Sequence, residues 1–300
     1  MYDVTIFGIS LTLNPVAFTL PLGKSEWKIY WYGILIAVGF LLALFYGMKN
    51  ARRFDIDPDR MLDVILVTTP LAILCARIYY LIFDGQPLHS ISDFFGFGNS
   101  SGFAGLAIYG GVIGALVIGS LMCRLRKVPI FNMFDLTAIG FCIGQSVGRW
   151  GNFMNQEAYG GFTGSSFFGM ESSRTIAEMG EGLVHPCFLY ESIWCLGGFF
   201  VLHAISKHKK FNGQIVLSYG VWYGFGRAVI ELLRTDSLMI GNIKVSCLLS
   251  VLAVLGCGAA LYVLLKRQKT ASVNKNYQSV FAEEELTALS EEEEENVQED

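Results

Sequence analysis

Residues 29–48 read IYWYGILIAVGFLLALFYGM, twenty consecutive positions without a charged side chain. An α-helix of that length covers about 30 Å, the hydrocarbon thickness of a bilayer. Six further stretches have the same character, near residues 61–83, 103–122, 130–148, 187–205, 214–233 and 245–265. Together they predict an all-α integral membrane protein with seven transmembrane helices. The composition agrees. Of the 300 residues, 53% are hydrophobic and only 16% charged, and the mean hydropathy is +0.46. These values exclude a single soluble globule, for which about a quarter of residues are charged. No nucleic-acid partner is expected; the expected surroundings are a lipid bilayer.

The net charge of −4 conceals a split. Residues 271–300 hold ten of the 26 acidic side chains, in runs such as Glu283 to Glu285 and Glu291 to Glu295, and a single base, Lys275. The rest of the chain, with 21 basic and 16 acidic residues, is mildly basic. Basic residues mark cytoplasmic loops. They cluster after the first, third, fifth and seventh spans, at Lys49, Arg52 and Arg53, at Arg124, Arg126 and Lys127, at Lys207, Lys209 and Lys210, and at Lys266, Arg267 and Lys269. Residues 84–102 have no Lys or Arg, and the long 149–186 connection sets Arg149 and Arg174 against four glutamates. The N-terminus is therefore expected outside and the C-terminus in the cytoplasm. The resulting organisation is an outer-surface segment over residues 1–28, a seven-span domain over 29–266 with a long outer loop at 149–186, and an acidic, disordered cytoplasmic tail over 267–300. The start MYDV lacks the basic region of a cleaved signal peptide. The seven cysteines form no CxxC pair, so neither a disulfide framework nor a zinc site is indicated.

Ionisable groups inside a span are costly and usually face the bundle interior. Spans and orientation together put Tyr32, Arg77, Tyr109, Arg149, Glu191, Arg227, Glu231 and Arg234 at one level, in the outer half of the membrane. Tyr223, Arg227, Glu231 and Arg234 follow i, i+4, i+8, i+11 spacing and share one helical face. Two readings fit that face: Arg227 and Glu231 neutralise each other, or Glu231 holds Arg227 towards an anionic ligand. Glycines gather on the same side, at Gly96, Gly98, Gly102, Gly105, Gly110 and Gly111, and again from Gly148 to Gly169. Asp63 and Asp135 lie near the inner ends of their spans and read as structural. The densest polar cluster is Gly148-Arg149-Trp150-Gly151-Asn152-Phe153-Met154-Asn155-Gln156-Glu157-Ala158-Tyr159-Gly160. Arg149 offers a planar cationic fork for phosphate, asparagine amides suit ester or glycerol oxygens, and Glu157 can orient an arginine or accept a proton. Amide and aromatic residues at a membrane edge also serve as plain interfacial anchors.

That cluster fills every fixed position of the signature GRxGNFxNxExxG, and the chain resembles the prolipoprotein diacylglyceryl transferases over roughly residues 12–266. Further matching segments are Asn14-Pro15-Val16-Ala17-Phe18, Trp31-Tyr32-Gly33, Ala76-Arg77-Ile78-Tyr79-Tyr80, His185-Pro186, Leu189-Tyr190-Glu191 and Tyr223 to Arg234. The resemblance implies transfer of the sn-1,2-diacylglyceryl group of phosphatidylglycerol to the lipobox cysteine thiol of a preprolipoprotein signal peptide. It implies release of glycerol phosphate, a bacterial cell (inner) membrane location, and no metal or organic cofactor. Carried over residue by residue, Arg149 and Arg227 are the phosphate ligands. Asn152, Glu157 and Gly160 shape the headgroup site, Tyr32 contacts lipid or thiol, Glu231 positions Arg227, and Arg77, Tyr223 and Arg234 line the substrate site. Where some members have a His-Gly-Gly, this chain has Tyr109-Gly110-Gly111, so Tyr109 stands where a thiol-activating group is expected. His185 is read as structural, capping the fifth span. An alternative class is an anion carrier or channel, but its polar pathway would continue to the inner side, where these charges thin out.

Overall fold

The computed structural model describes residues 2–22, 25–84, 107–235, 239–240 and 243–269. Gly96, Gly98, Gly102, Gly105 and the acidic runs of the tail lie outside them. The chain is mostly helical. It opens with strands β1 (Tyr2–Ile6), β2 (Ile9–Leu13), β3 (Val16–Leu22) and β4 (Ser25–Tyr30). Helices α1 (Trp31–Asn50), α2 (Pro58–Asp84), α3 (Ile108–Leu125) and α4 (Ile130–Asn155) follow. After strand β5 (Met170–Ser172) come the short α5 (Ser173–Met179), then α6 (Cys187–Ser206) and α7 (Gln214–Leu233). The hairpin of β6 (Met239–Ile240) and β7 (Ile243–Lys244) leads into α8 (Val245–Lys269).

Among the described residues, six helices are long and apolar enough to cross a membrane: α1, α2, α3, α4, α6 and α8. The apolar runs of the sequence predict seven spans. The remaining one coincides with α7, in which Arg227 and Glu231 lower the apolar average. The strands are a second departure from the all-α expectation. β1 lies between β2 and β5 in an antiparallel sheet, with Val4 opposite Leu11 and Ser172, while β3–β4 and β6–β7 are separate hairpins. The segment read from sequence as lying on the outer surface is largely extended backbone, which the backbone N–H of Trp31 ties to α1 by donating to Pro15 O at 3.0 Å.

Helix α4 is the axis of the fold, packed by α1, α6 and α7, while α2 and α3 form a pair beside it. Small residues allow the close approaches that drive helix association in lipid. A Cβ added at Gly39 would lie 3.1 Å from Gly144 O, and one at Gly224 would lie 2.9 Å from Ser250 O. Two apolar clusters sit at opposite ends of α4. One gathers Met133, Leu136, Ile139 and Cys142 with Phe54, Met61, Leu202 and Ile215. The other gathers Phe153, Ala158, Tyr159 and Phe188 with Val4, Met170 and Val184 of the small sheet region.

The two acids read as structural have local partners. Asp63 pairs with Arg126 at 3.3 Å. Asp135 is fully buried on α4 and accepts from the backbone N–H groups of Gly213 and Ile215 at 2.9 Å and of Val216 at 3.0 Å. It therefore satisfies the amide donors that a helix start leaves open, here the start of α7. Lys209 lies 3.6 Å away and offsets its charge. Replacing Asp135 by Ala removes a cap and strands buried donors, so Asp135→Ala should cost about 2–3 kcal/mol and Asp135→Asn less. Thermal unfolding in detergent micelles measures this, and a wild-type Tm for Asp135→Ala would show that α7 starts without it.

Candidate active site

The last two turns of α4 carry Arg149 and Asn152, and the Arg149 Nη1 lies 3.4 Å from Asn152 Oδ1 as donor. The helix stops at Gln156, whose left-handed φ of 56° lets the Glu157 N–H turn back to Asn152 O at 2.9 Å. Asn155 Nδ2 donates to Glu157 Oε1 at 2.6 Å, which fixes that carboxylate beside the helix end. The chain then runs into a seam between two other helices. Gly160 N donates to His185 O at 2.8 Å, and Gly161 N donates to Leu233 O at 3.0 Å. A Cβ on Gly160 would lie 2.6 Å from Leu233 O and 3.0 Å from Cys187 Sγ. The signature therefore needs glycine here for space, because the Leu233 carbonyl, the Cys187 thiol and the His185 Cβ close on it.

On the other side of that seam Glu191 gathers the arginines. Its Oε2 pairs with Arg149 Nη2 and its Oε1 with Arg227 Nη1, while Arg234 Nη1 stands 3.3 Å from the same Oε1. Arg227 also forms an ion pair with Glu231, its Nη2 lying 2.7 Å from Glu231 Oε2. The carboxylates are the buried part, with side chains 3% and 1% exposed, whereas the three arginines retain 12–22%. Three cations against two anions leave the group one positive charge in excess. Arg149, Arg227, Glu231 and Arg234, expected to share a level, are thus joined in one network. From the sequence Glu191 has no assigned role. Its signals are a place among the polar residues at that level and in the matching segment Leu189-Tyr190-Glu191, and neither names its partners, which lie tens of positions away.

Tyr32 leans on the signature helix: a Cβ on Gly151 would meet its Cδ2 at 2.5 Å. Its hydroxyl lies within electrostatic reach of Glu157 and Arg149. Tyr223, on α7, feels Arg149, Glu191 and Arg227 and stacks on Tyr219 with ring centroids 5.5 Å apart. The other candidates stand apart. Tyr109, in the first turn of α3, is 40% exposed and, among the described residues, makes no hydrogen bond to Arg149, Arg227 or Glu157. Arg77 is buried on α2 with its guanidinium 5.5 Å from the Tyr80 ring, and it is not an ion-pair partner of Glu191 or Glu231. His185 does not cap α6. Pro186 occupies the N-cap without a side-chain bond, and the His185 ring instead shares a 3.1 Å hydrogen bond with Tyr190 Oη.

Two further groups brace the site. Lys244 Nζ donates to Glu231 O at 2.7 Å and to Arg234 O at 2.6 Å, closing the C-terminal carbonyls of α7. Arg174 donates to Glu178 Oε1 at 2.8 Å and to Asn155 O at 3.4 Å, and Tyr159 also bonds Glu178. The Glu178 carboxylate raises the Arg174 pKa above its already high range, so this strut stays charged at any physiological pH.

A family model described as prolipoprotein diacylglyceryl transferase matches residues 15–264. The chain belongs to the prolipoprotein diacylglyceryl transferase family. It is an enzyme, a transferase. Among its relatives, the phosphatidylglycerol–prolipoprotein diacylglyceryl transferase of Ligilactobacillus salivarius is 39% identical, covering 83% of this chain and 93% of its own length. That of Clostridioides difficile is 37% identical, over 88% of this chain and all of the relative. That of Pediococcus pentosaceus is 40% identical over 86% and 91%. The matched region of this transferase holds every residue of the arginine network, and the acidic tail lies beyond it.

Removing one partner from a buried ion pair leaves an uncompensated charge and typically costs 3–5 kcal/mol. Glu191→Ala should lose stability of about that size, while Glu191→Gln, which keeps the shape, should lower transfer turnover about tenfold, near 1.4 kcal/mol. Unfolding curves and turnover of both variants test the assignment, and wild-type values for Glu191→Gln would remove Glu191 from the network's function.

Proposed function

We propose that this transferase moves the sn-1,2-diacylglyceryl group of phosphatidylglycerol onto the lipobox cysteine thiol of a preprolipoprotein, at a site in the outer half of a bacterial cell membrane. The observation that carries this reading is the convergence of Arg149, Arg227 and Arg234 on buried Glu191, directly beside an unbroken signature. All seven long helices span, with the N-terminus outside and the tail inside. α7 supports its own inclusion: Phe225, Val229 and Leu232 form an exposed apolar stripe, while Arg227 turns to Glu191 of α6 and Glu231 is buried beside Arg227.

The reaction forms a carbon–sulfur bond and breaks the bond between a glycerol carbon and a phosphate oxygen. The electron pair of that bond leaves with the phosphate, so a phosphodiester with one negative charge becomes a monoester that can hold two. The thiol proton is released to solvent or to the monoester. The sulfur reacts as thiolate, and cations already in place where charge develops stabilise the transition state without reorganisation. Arg149 and Arg227 fill that role as the more accessible half of the network, with Glu191 and Glu231 holding them. Asn152 and Glu157 at the end of α4 bind headgroup hydroxyls, Gly160 keeps the wall thin enough for the seam to close, and Tyr32 contacts lipid or thiol. Arg77 and Tyr223 line the surrounding substrate space. Tyr109 acts as an orienting phenol once substrate draws it in.

The test is mass spectrometry of a lipobox peptide incubated with the purified protein and phosphatidylglycerol, beside a peptide with serine for cysteine. A diacylglyceryl mass gain on the cysteine peptide alone, with glycerol phosphate released, is expected. Arg149→Ala should lower turnover by at least about a hundredfold, a loss on the scale of one preorganised donor at developing charge. Arg149→Lys should not restore it, since a point charge lacks the planar fork. Tyr109→Phe separates a hydroxyl role from ring packing. Full turnover in both Arg149→Ala and Tyr109→Phe would overturn the site, and no mass gain with folded, lipid-replete protein would overturn the function.

A further inference from the structure

Helices α6 and α7 are joined by a second device, one turn away from the arginines. Trp194 Nε1 donates to the backbone carbonyl of Trp222 at 2.9 Å, and Trp222 Nε1 donates to the carbonyl of Trp194 at 3.0 Å. The two indoles stack with centroids 4.5 Å apart and planes 20° from parallel. In an α-helix each of these carbonyls already accepts from the residue four positions on, and those residues are Gly198 and Gly226. A Cβ on Gly226 would fall inside the Trp194 indole, and one on Gly198 would lie 2.6 Å from Trp222 Nε1. Both helices thus carry the same Trp-x-x-x-Gly spacing, and in each the glycine uncovers the carbonyl that the opposite indole reaches.

We infer that this reciprocal clasp is a positioning device for the reaction: Trp194 and Trp222 set the axial register at which Glu191 of α6 meets Arg227 of α7. Glu191 precedes Trp194 by three residues and lies on the same helical face, while Arg227 directly follows Gly226. The two indole bonds run in opposite directions across an antiparallel pair, so one bond alone would allow pivoting and the two together do not. A slip of about 1.5 Å, the rise of one residue, lengthens both and carries Glu191 away from Arg227. An interhelical hydrogen bond in lipid has no water to replace it, so the register is held where the arginine network needs it. The inference rests on the transfer reaction proposed above.

The experiment uses the full-length protein in nanodiscs containing phosphatidylglycerol, with a lipobox peptide as acceptor, and compares W194F, W222F, E191Q and W194F/E191Q with wild type. The phenylalanine variants keep an aromatic ring and lose the N–H donor. The expected result is a kcat about tenfold lower in W194F, KM for phosphatidylglycerol within twofold of wild type, and a Tm within a few degrees. Adding W194F to E191Q should then change kcat by less than twofold, because the residue it positions is already neutral. Wild-type kcat in W194F would overturn the inference. So would a kcat loss matched by a large fall in Tm, or losses that multiply in the double variant. If W194F does not fold, W222F, which keeps the Trp194 donor, is read by the same criteria. Absence of turnover in wild type would count against the proposed reaction and not against the clasp.

Discussion

A carboxylate with 3% of its surface exposed cannot stay ionised alone, because the free energy of removing it from water far exceeds that of any single contact. Glu191 is that group, and its demand for cations shapes everything around it. Arg149 reaches it from α4, and Arg227 and Arg234 reach it from α7 and its C-terminal end. Three segments must therefore be in place together before the charge is compensated. Glu231 extends the network by binding the far side of Arg227. Burial of the anions and partial exposure of the cations then follow from the same geometry, and that asymmetry is what makes the assembly suited to an anionic ligand.

The elements that hold this geometry act on the ends of α7. At its start Asp135 of α4 accepts three backbone N–H groups, and at its finish Lys244 donates to the carbonyls of Glu231 and Arg234. Each partner carries the charge that complements the local end of the helix dipole. Gly160 fixes the third constraint by letting the loop after α4 lie against Leu233 O. The signature is thus more than a set of ligand-facing side chains. Its arginine and glycine ends grip different helices, and Gln156, with a positive φ, bends the chain between them.

Much of this was legible in the chain. The apolar runs mark the long helices because hydrophobic length is a strong, local signal. Arg149, Arg227, Glu231 and Arg234 were placed at one level by span position and helical spacing alone. Glu191 as their common partner was not readable: periodicity reports faces within one helix, and this pairing joins residues 36 and 43 positions apart. The strands β1 to β4 escaped for another reason. They are five to seven residues long, so they carry no periodic signal strong enough to compete with the apolar runs that follow. The paired Trp-x-x-x-Gly spacings were visible, but only the contact between helices gives them meaning.

Helix α7 shows why an apolar average is a poor guide to such a segment. Averaging counts Arg227 and Glu231 against it, yet in a bundle the polar face turns inward and lipid meets only the outward face. On that outward face Phe225, Val229 and Leu232 recur at i, i+4 and i+7 and are exposed, an apolar stripe at helical spacing. Facing inward, Tyr223, Arg227 and Glu231 recur at i, i+4 and i+8 against α4 and α6. The pattern is that of an amphipathic helix turned inside out, and it arises because the interior here is the polar phase. The residues that depress the hydropathy of α7 are Arg227, which pairs with Glu191, and Glu231, which pairs with Arg227. Its marginal apolarity is therefore a direct consequence of turning the arginine network into the helical bundle.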